Sequence, residues 1–413
     1  MTPGAPGEHP PVTTHQIPPP AFLDDPALRA VLHALPRTRI VGGAVRDTLA
    51  PRPIPPGPTT DIDLATPDPP DQVIAALQAA GLKYAPTGLQ HGTITAISHG
   101  RGFEVTTLRR DDTTDGRHAE VSWTDDWRED ASRRDFTINA MSMDPAATVF
   151  DYFGGRDDLA SGRVRFVGDP ARRIAEDYLR ILRFFRFQGR YGTQSPDVAT
   201  THALREGVRG LPRLSVERVW SELKRILLVP HAPRTFRLMA DLGVLDAILP
   251  GGTDLERFGH LMQSAAPPDP LLRLAALQPG TTAATRFKLS NAEAAALQAL
   301  EGPPPDPAWD DAALHRAMAD TAPTTWIGRA WLAGAAADDD DPAWVTLRHR
   351  LGAKRPVFPL AGRDVVALGV PMGPRVGTTL AAIRAWWMTG GCTADAAACR
   401  ARLHHELARV PPG

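Results

Sequence analysis

Between Phe22 and Leu108 the apolar positions change period several times, and each change predicts an element. A helical stretch is followed by short strands at 39–41 and 60–65, a helix over 71–80, and strands at 93–98 and 103–108. Pro69-Pro70-Asp71 opens that helix, and Gly81 falls where a C′ glycine ends one. This pattern predicts a small mixed sheet with helices on one face. Residues 109–127 are polar and without period, which reads as a long loop. From Pro170 the period is helical, over 170–189, 197–207, 215–229 and 232–243. Ser215 is a natural N-cap there, and Glu217 follows in the first turn. Residues 1–20 are proline-rich and aperiodic, and are expected to be disordered. Gly302 to Pro307 reads as a linker and Asp338 to Asp341 as a solvated acidic loop.

Composition narrows the class. At 413 residues and 43% hydrophobic content, the chain can build two to four domains with real cores. It has no apolar run of membrane-spanning length and no basic-then-apolar signal pattern, so a cytoplasmic enzyme is expected. Cys392 and Cys399 match neither a disulfide framework nor a zinc pattern and are expected to be reduced and structural. The formal charge is −1, but residues 163–237 hold 16 Arg or Lys against 7 Asp or Glu. A basic segment inside a neutral chain suits a partner rich in phosphate. Lysine occurs only at 83, 224, 288 and 354. Arginine suits bidentate phosphate and base contacts; an arginine-favouring coding bias is the bland alternative for that ratio, and it does not explain the clustering.

The chemistry concentrates after the first strand. Gly42-Gly43 lets the backbone turn and approach a triphosphate, and Arg46 can add a cation. Asp61 and Asp63 are spaced to share one face of a strand, and two carboxylates side by side suit Mg²⁺. Taken alone, an Asp-x-Asp is equally a solvated strand edge.

Gly42-Gly43-Ala44-Val45-Arg46-Asp47 and Asp61-Ile62-Asp63-Leu64-Ala65-Thr66 together resemble the catalytic signature of class II tRNA nucleotidyltransferases, the CCA-adding enzymes, and of their bacterial poly(A) polymerase relatives. Four further stretches follow in the family's order. Arg133 to Met141 resembles its ribose- and phosphate-contacting motif, and Asp151 to Leu159 its hinge. Glu176 to Arg183 resembles its nucleotide-selecting helix, and Leu214 to Arg218 the structural motif after it. The resemblance spans roughly residues 37–250, with a short echo at Pro359 to Asp364 and Gly369 to Gly377 like the family's tRNA-contacting tail. One departure is the proline-rich stretch Pro51 to Pro58, longer than the family's usual turn.

The resemblance implies an α+β chain: an N-terminal nucleotidyltransferase palm of polymerase-β type with a mixed sheet, then all-α neck, body and tail. The expected boundaries are a leader at 1–20, palm at 21–160, neck at 161–230, body at 231–335 and tail at 336–413. It further implies transfer of a nucleotide from CTP or ATP to the 3′ end of tRNA with Mg²⁺ on Asp61 and Asp63, and Glu104 is the candidate third carboxylate, otherwise an exposed strand residue. Gly42, Gly43, Arg46 and Arg134 would meet the triphosphate, and Asp135 and Asn139 the ribose. Arg133 would act similarly or form a surface ion pair, and Phe136 would pack inside. Asp177 and Arg180, three apart on a helix, would imitate a Watson–Crick partner for cytosine or adenine, with Arg183 and Arg186 behind them. An intrahelical salt bridge is the plainer reading of that pair. The 109–127 segment matches a flexible family loop that helps switch between nucleotides. CCA addition is the expected function, poly(A) addition its rival, and a catalytically silent RNA-binding protein the remaining alternative. No stable protein partner is inferred.

Overall fold

The computed structural model describes residues 12–51, 61–114, 119–280, 282–337 and 341–409. Residues 1–11, most of the proline-rich stretch, the middle of the expected 109–127 loop and Asp338 to Asp340 lie outside them. The chain divides into two compact units, 1–250 and 251–413.

The first unit is built on a sheet ordered β1-β10-β9-β2-β3-β6-β5-β4. Its strands are β1 (Thr13–Gln16), β2 (Arg39–Val41), β3 (Asp63–Thr66), β4 (Lys83–Gly88), β5 (Thr93–Ser98) and β6 (Arg101–Thr107). A separate ribbon comprises β7 (Arg109–Thr114) and β8 (Ala119–Trp123), and β9 (Ser142–Met143) and β10 (Thr148–Asp151) return to the sheet. Neighbouring strands are antiparallel except β3 and β6, which run parallel with Leu64 opposite Val105. Alternation then sorts the side chains. Ile40, Leu64, Val105 and Ile94 oppose one another and are fully buried. Helices α1 (Pro26–Ala34) and α2 (Gly43–Leu49) flank β2, and α3 (Pro70–Ala79) follows β3; α1 and α3 pack on β5. The other face carries Val41, Asp63, Glu104 and Thr106.

Four expectations change here. Thr13–Gln16, expected to be disordered, forms the edge strand β1 on β10, because a polar strand needs only backbone pairing at a solvated edge. The second strand begins at Asp63, so Asp61 precedes it. The expected 109–127 loop is a β-ribbon, with Arg109 opposite Trp123, followed by α4 (Trp127–Ser132). Charged and small polar residues dominate these strands, so no apolar alternation marks them in the sequence. The expected 170–189 helix is broken in two, α6 (Pro170–Glu176) and α7 (Leu179–Tyr191), after a short α5 (Gly155–Ala160). At the break Asp177 is extended (φ −154°), and its carboxylate accepts from the Leu179 amide at 3.1 Å. The Tyr178 ring lies so close to Gly210 that a Cβ there would approach it to 2.1 Å.

Helices α8 (Val198–Gly207), α9 (Val216–Leu227), α10 (Ala232–Asp241) and α11 (Val244–Ile248) complete the unit, and α10 packs on α7. Ser215 caps α9 as expected, accepting from the Arg218 amide, and Asp197 caps α8, accepting from the Thr200 amide. Phe136, Phe166, Phe184 and Phe187 form the aromatic core between the sheet and α7, with Phe136 4.8 Å from Phe166 and 5.2 Å from Phe187.

Every secondary-structure element among the described residues of the second unit is a helix, joined by irregular connections. One core gathers Leu314, Met318, Trp326, Ala330, Leu347 and Leu351; another includes Val365, Ile383, Trp387, Cys392, Cys399 and Leu403. Both cysteines are free and buried, and burial raises their thiol pKa values. Asp341, expected in a solvated loop, instead N-caps Pro342–Leu351. Among the described residues no helix is long and apolar enough to cross a membrane.

Candidate active site

The polar face of the sheet opens into a pocket of about 450 Å³, lined by Val41, Asp63 and Ala65 on β2 and β3, by Thr93, Glu104 and Thr106 on β5 and β6, and by Asp130, Arg133 and Arg134 at α4. Asp63 and Glu104 sit side by side because β3 and β6 run parallel in register. Asp63 has its pKa raised, first by partial burial, then by the charge of Glu104; Arg134 lowers it and Asp61 raises it again. Asp61 is exposed and does not line the pocket.

Among the described residues no three His, Cys, Asp or Glu side chains are gathered closely enough to hold a metal by themselves. The donor set nonetheless fits a hard divalent ion that takes one or two carboxylates and leaves its other positions to phosphate and water. Repulsion raising Asp63 is what such an ion would relieve.

Beside the carboxylates stands the phosphate-facing wall. Gly42 has φ +67°, and a Cβ there would lie 3.5 Å from the Arg134 guanidinium. Arg134 and Arg133 are both anchored on Asp130, at 3.2 and 2.6 Å, and Asp130 is held below the usual carboxylate range because these two arginines outweigh its burial. The backbone beneath them is fixed by Arg173, which donates to the carbonyls of Arg133 and of Arg134, the latter at 2.7 Å.

Arg46 is turned away from this pocket. Its guanidinium donates to Asn139 Oδ1 at 2.6 Å and to Asp47 at 2.9 Å, and lies 4.6 Å from the centre of the Tyr191 ring. Tyr191 also donates to Asp47 at 2.6 Å, and burial, with that carboxylate, pushes its phenol up to about 12. Asn139 in turn donates to Asp135 at 3.0 Å. Asp135 accepts from the Phe136 amide at 2.9 Å and from two nitrogens of Arg183 at 2.6 Å. Burial would raise Asp135, but the Arg183 charge and these hydrogen bonds hold it low. Glu222 on α9 continues the chain, 2.7 Å from Arg186 and 4.0 Å from Arg183. Arg46, Asn139, Asp135, Arg183, Arg186 and Glu222 thus form one polar seam from α2 to α9. All four lone-pair sites of Asp135 are occupied.

The helix break separates the two expected base-reading residues. Asp177 pairs with Arg218 at 2.8 Å, while Arg180 pairs with Glu176 at 2.6 Å and donates to the Arg173 carbonyl at 2.8 Å. The plain Asp177–Arg180 salt bridge is absent among these contacts. The hinge-like stretch opens with a tight turn, in which Asp151 accepts from the amides of Phe153, Gly155 and Arg156, and runs on into α5.

A sequence profile described as "Poly A polymerase head domain" matches residues 38–165, and one described as "Probable RNA and SrmB- binding site of polymerase A" matches 196–255. The mitochondrial CCA tRNA nucleotidyltransferase 1 of Mus musculus is 37% identical over 374 residues, covering 86% of this chain and 83% of its own length. This chain belongs to the CCA tRNA nucleotidyltransferase family. The Danio rerio CCA tRNA nucleotidyltransferase 1 is 47% identical over 248 residues, 58% of this chain and 56% of its own. The structure of the Bacillus stearothermophilus CCA-adding enzyme in complex with CTP superposes with a TM-score of 0.69 at 27% identity, covering 93% of this chain and 98% of that one. The chain is therefore a nucleotidyltransferase of α+β architecture, and its head profile contains Asp63, Glu104 and Arg134.

Sequence reasoning about this nucleotidyltransferase missed Asp130, Arg173, Tyr191, Arg218 and Glu222. Glu222 alone left a signal: it stands on the apolar stripe of α9 among Val219, Leu223 and Ile226, where a carboxylate needs a cation.

Proposed function

We propose that this enzyme adds or repairs the 3′-terminal CCA of tRNA, taking CTP and ATP as substrates without a nucleic-acid template. The observation that carries the reading is the pairing of Asp63 with Glu104 on the open sheet face, next to Gly42 and Arg134. Asp63 and Glu104 would hold Mg²⁺, with the charge of Asp61 acting on Asp63, and the ion when bound would neutralise this charge and stabilise charge on the transferring phosphoryl group. Arg134 and the Gly42-Gly43 turn receive the triphosphate. Asp135 and Asn139 act on the ribose through the seam, whose occupied lone pairs give them a positioning part. Asp177 and Arg180 read the base, each exchanging its present partner, Arg218 or Glu176, for the nucleobase edge. An amine beside a ring acceptor, common to cytosine and adenine, meets both side chains.

The test uses tRNA lacking its last three nucleotides, Mg²⁺, and CTP, ATP or both. Ordered addition of C, C and A that then stops is the expected product. Long adenosine tails from ATP alone would instead support poly(A) addition, the reading favoured by the name of the head profile. The cytoplasmic setting expected from sequence competes with the mitochondrial one in the names of both vertebrate relatives, and fractionation of cells decides between them.

A further inference from the structure

The carboxylates Asp63 and Glu104 lie on β3 and β6, and the strand order puts β2 on one flank of that pair and β5 on the other. The β2 flank leads to α2 and the phosphate-facing wall already described. On the β5 flank the pocket is lined by His91 and Thr93, with Thr106 and Arg109 beside them. Arg109 donates to the His91 carbonyl at 3.4 Å. The ribbon register places Arg109 directly opposite Trp123, so their side chains leave the same face. The Trp123 ring lies over Gly92, the residue after His91; a Cβ at 92 would come within 2.5 Å of it, and φ +74° there also favours glycine. Trp123 remains 39% exposed and His91 is exposed.

An in-line displacement brings the attacking hydroxyl in from the side opposite the leaving pyrophosphate. With the triphosphate at Gly42 and Arg134, the RNA end reaches the carboxylates across the β5 flank. That flank offers an exposed indole, a planar guanidinium and an imidazole within one small surface, the chemistry that holds single-stranded RNA through base stacking and phosphate contact. We propose that His91, Arg109 and Trp123 form the docking wall for the 3′-terminal nucleotide of the RNA acceptor. The terminal base stacks on Trp123, its phosphate meets Arg109 and His91, and the 3′-hydroxyl is delivered toward Asp63 and Glu104. This rests on the nucleotidyl-transfer reading above and adds where the acceptor sits.

The experiment measures AMP incorporation into tRNA ending in CC, with RNA and ATP varied separately, for wild type, Trp123→Ala, Trp123→Phe and Arg109→Gln. Trp123→Ala should raise KM for RNA about tenfold or more, the range of one lost base stack, with KM for ATP and the melting temperature unchanged. Trp123→Phe should recover most of the loss, and Arg109→Gln should raise KM for RNA and flatten its salt dependence. An RNA KM unchanged in Trp123→Ala and Arg109→Gln, with wild type active, removes the docking wall alone. A lowered melting temperature with both KM values raised equally makes Trp123 a packing residue and also overturns the proposal. Wild type that incorporates nothing overturns the parent reading, and the docking wall falls with it.

Discussion

Asp63 and Asp135 are both aspartates set close to arginine, yet their environments push them in opposite directions. Asp63 stands on the open sheet face beside two further carboxylates, and its pKa is raised. Asp135 is buried in the seam that runs from α2 to α9, surrounded by donors, and its pKa is lowered. At the first site burial and neighbouring carboxylates outweigh the one opposing arginine, Arg134, while at the second the arginine and the hydrogen bonds outweigh burial. The difference separates chemistry from positioning: charge is left open where a cation and a triphosphate must enter, and is satisfied where the framework must not move.

The largest effect expected from this contrast is on rate. Glu104→Gln keeps the strand but removes half of the paired charge, and incorporation should fall by roughly 10²-fold or more, since metal-assisted charge stabilisation is worth several kcal/mol. The melting temperature should hold. A variant as active as wild type would return Glu104 to an ordinary exposed strand residue.

Asp135→Asn should show the reverse profile. It leaves Arg183 facing the seam without its main carboxylate, a loss of about 3 kcal/mol or more for a broken buried pair. Calorimetry should find the unit 1–250 melting roughly ten degrees lower. Acid should mimic the substitution. Because the folded pKa of Asp135 and Asp130 is depressed below the ordinary 3.8, their stabilisation is complete above that value and is lost as pH falls through the folded value. Wild type should therefore lose stability steeply below about pH 4, and Asp135→Asn less so. Equal acid sensitivity in the two proteins would break the contrast.

The smallest structural effect is expected at the base-reading end. Arg218 and Asp177 form a half-exposed pair, so Arg218→Ala should change stability by no more than about 1 kcal/mol. The ratio of CTP to ATP use should nevertheless shift, because Asp177 loses the side chain that orients it. An unchanged ratio in both Arg218→Ala and Asp177→Ala removes Asp177 from base choice.

What the sequence could and could not announce follows from how each feature is held. Period-2 alternation around Asp63 and Glu104 was readable because one sheet face is buried. β1 and the β7–β8 ribbon were not, since strands made largely of polar residues and set by cross-strand pairing carry no apolar signature. The break at Asp177 was hidden for another reason: it contains neither glycine nor proline, and it coincides with the Asp177 carboxylate accepting from the Leu179 amide and with the close approach of Tyr178 to the distant Gly210. The break separates two residues which helical spacing had put on one face. Arg46 was read as a phosphate ligand from its neighbours in sequence, while its guanidinium is taken up by Asn139, Asp47 and the Tyr191 ring.

The most direct measurement sets Asp63→Asn beside Asp135→Asn, following extension of tRNA lacking CCA and thermal unfolding on the same samples, at a temperature where both are folded. Asp63→Asn should melt like wild type and add no nucleotide, while Asp135→Asn should melt lower and still extend the RNA. Extension by Asp63→Asn at the wild-type rate, with Mg²⁺ present, would contradict the account.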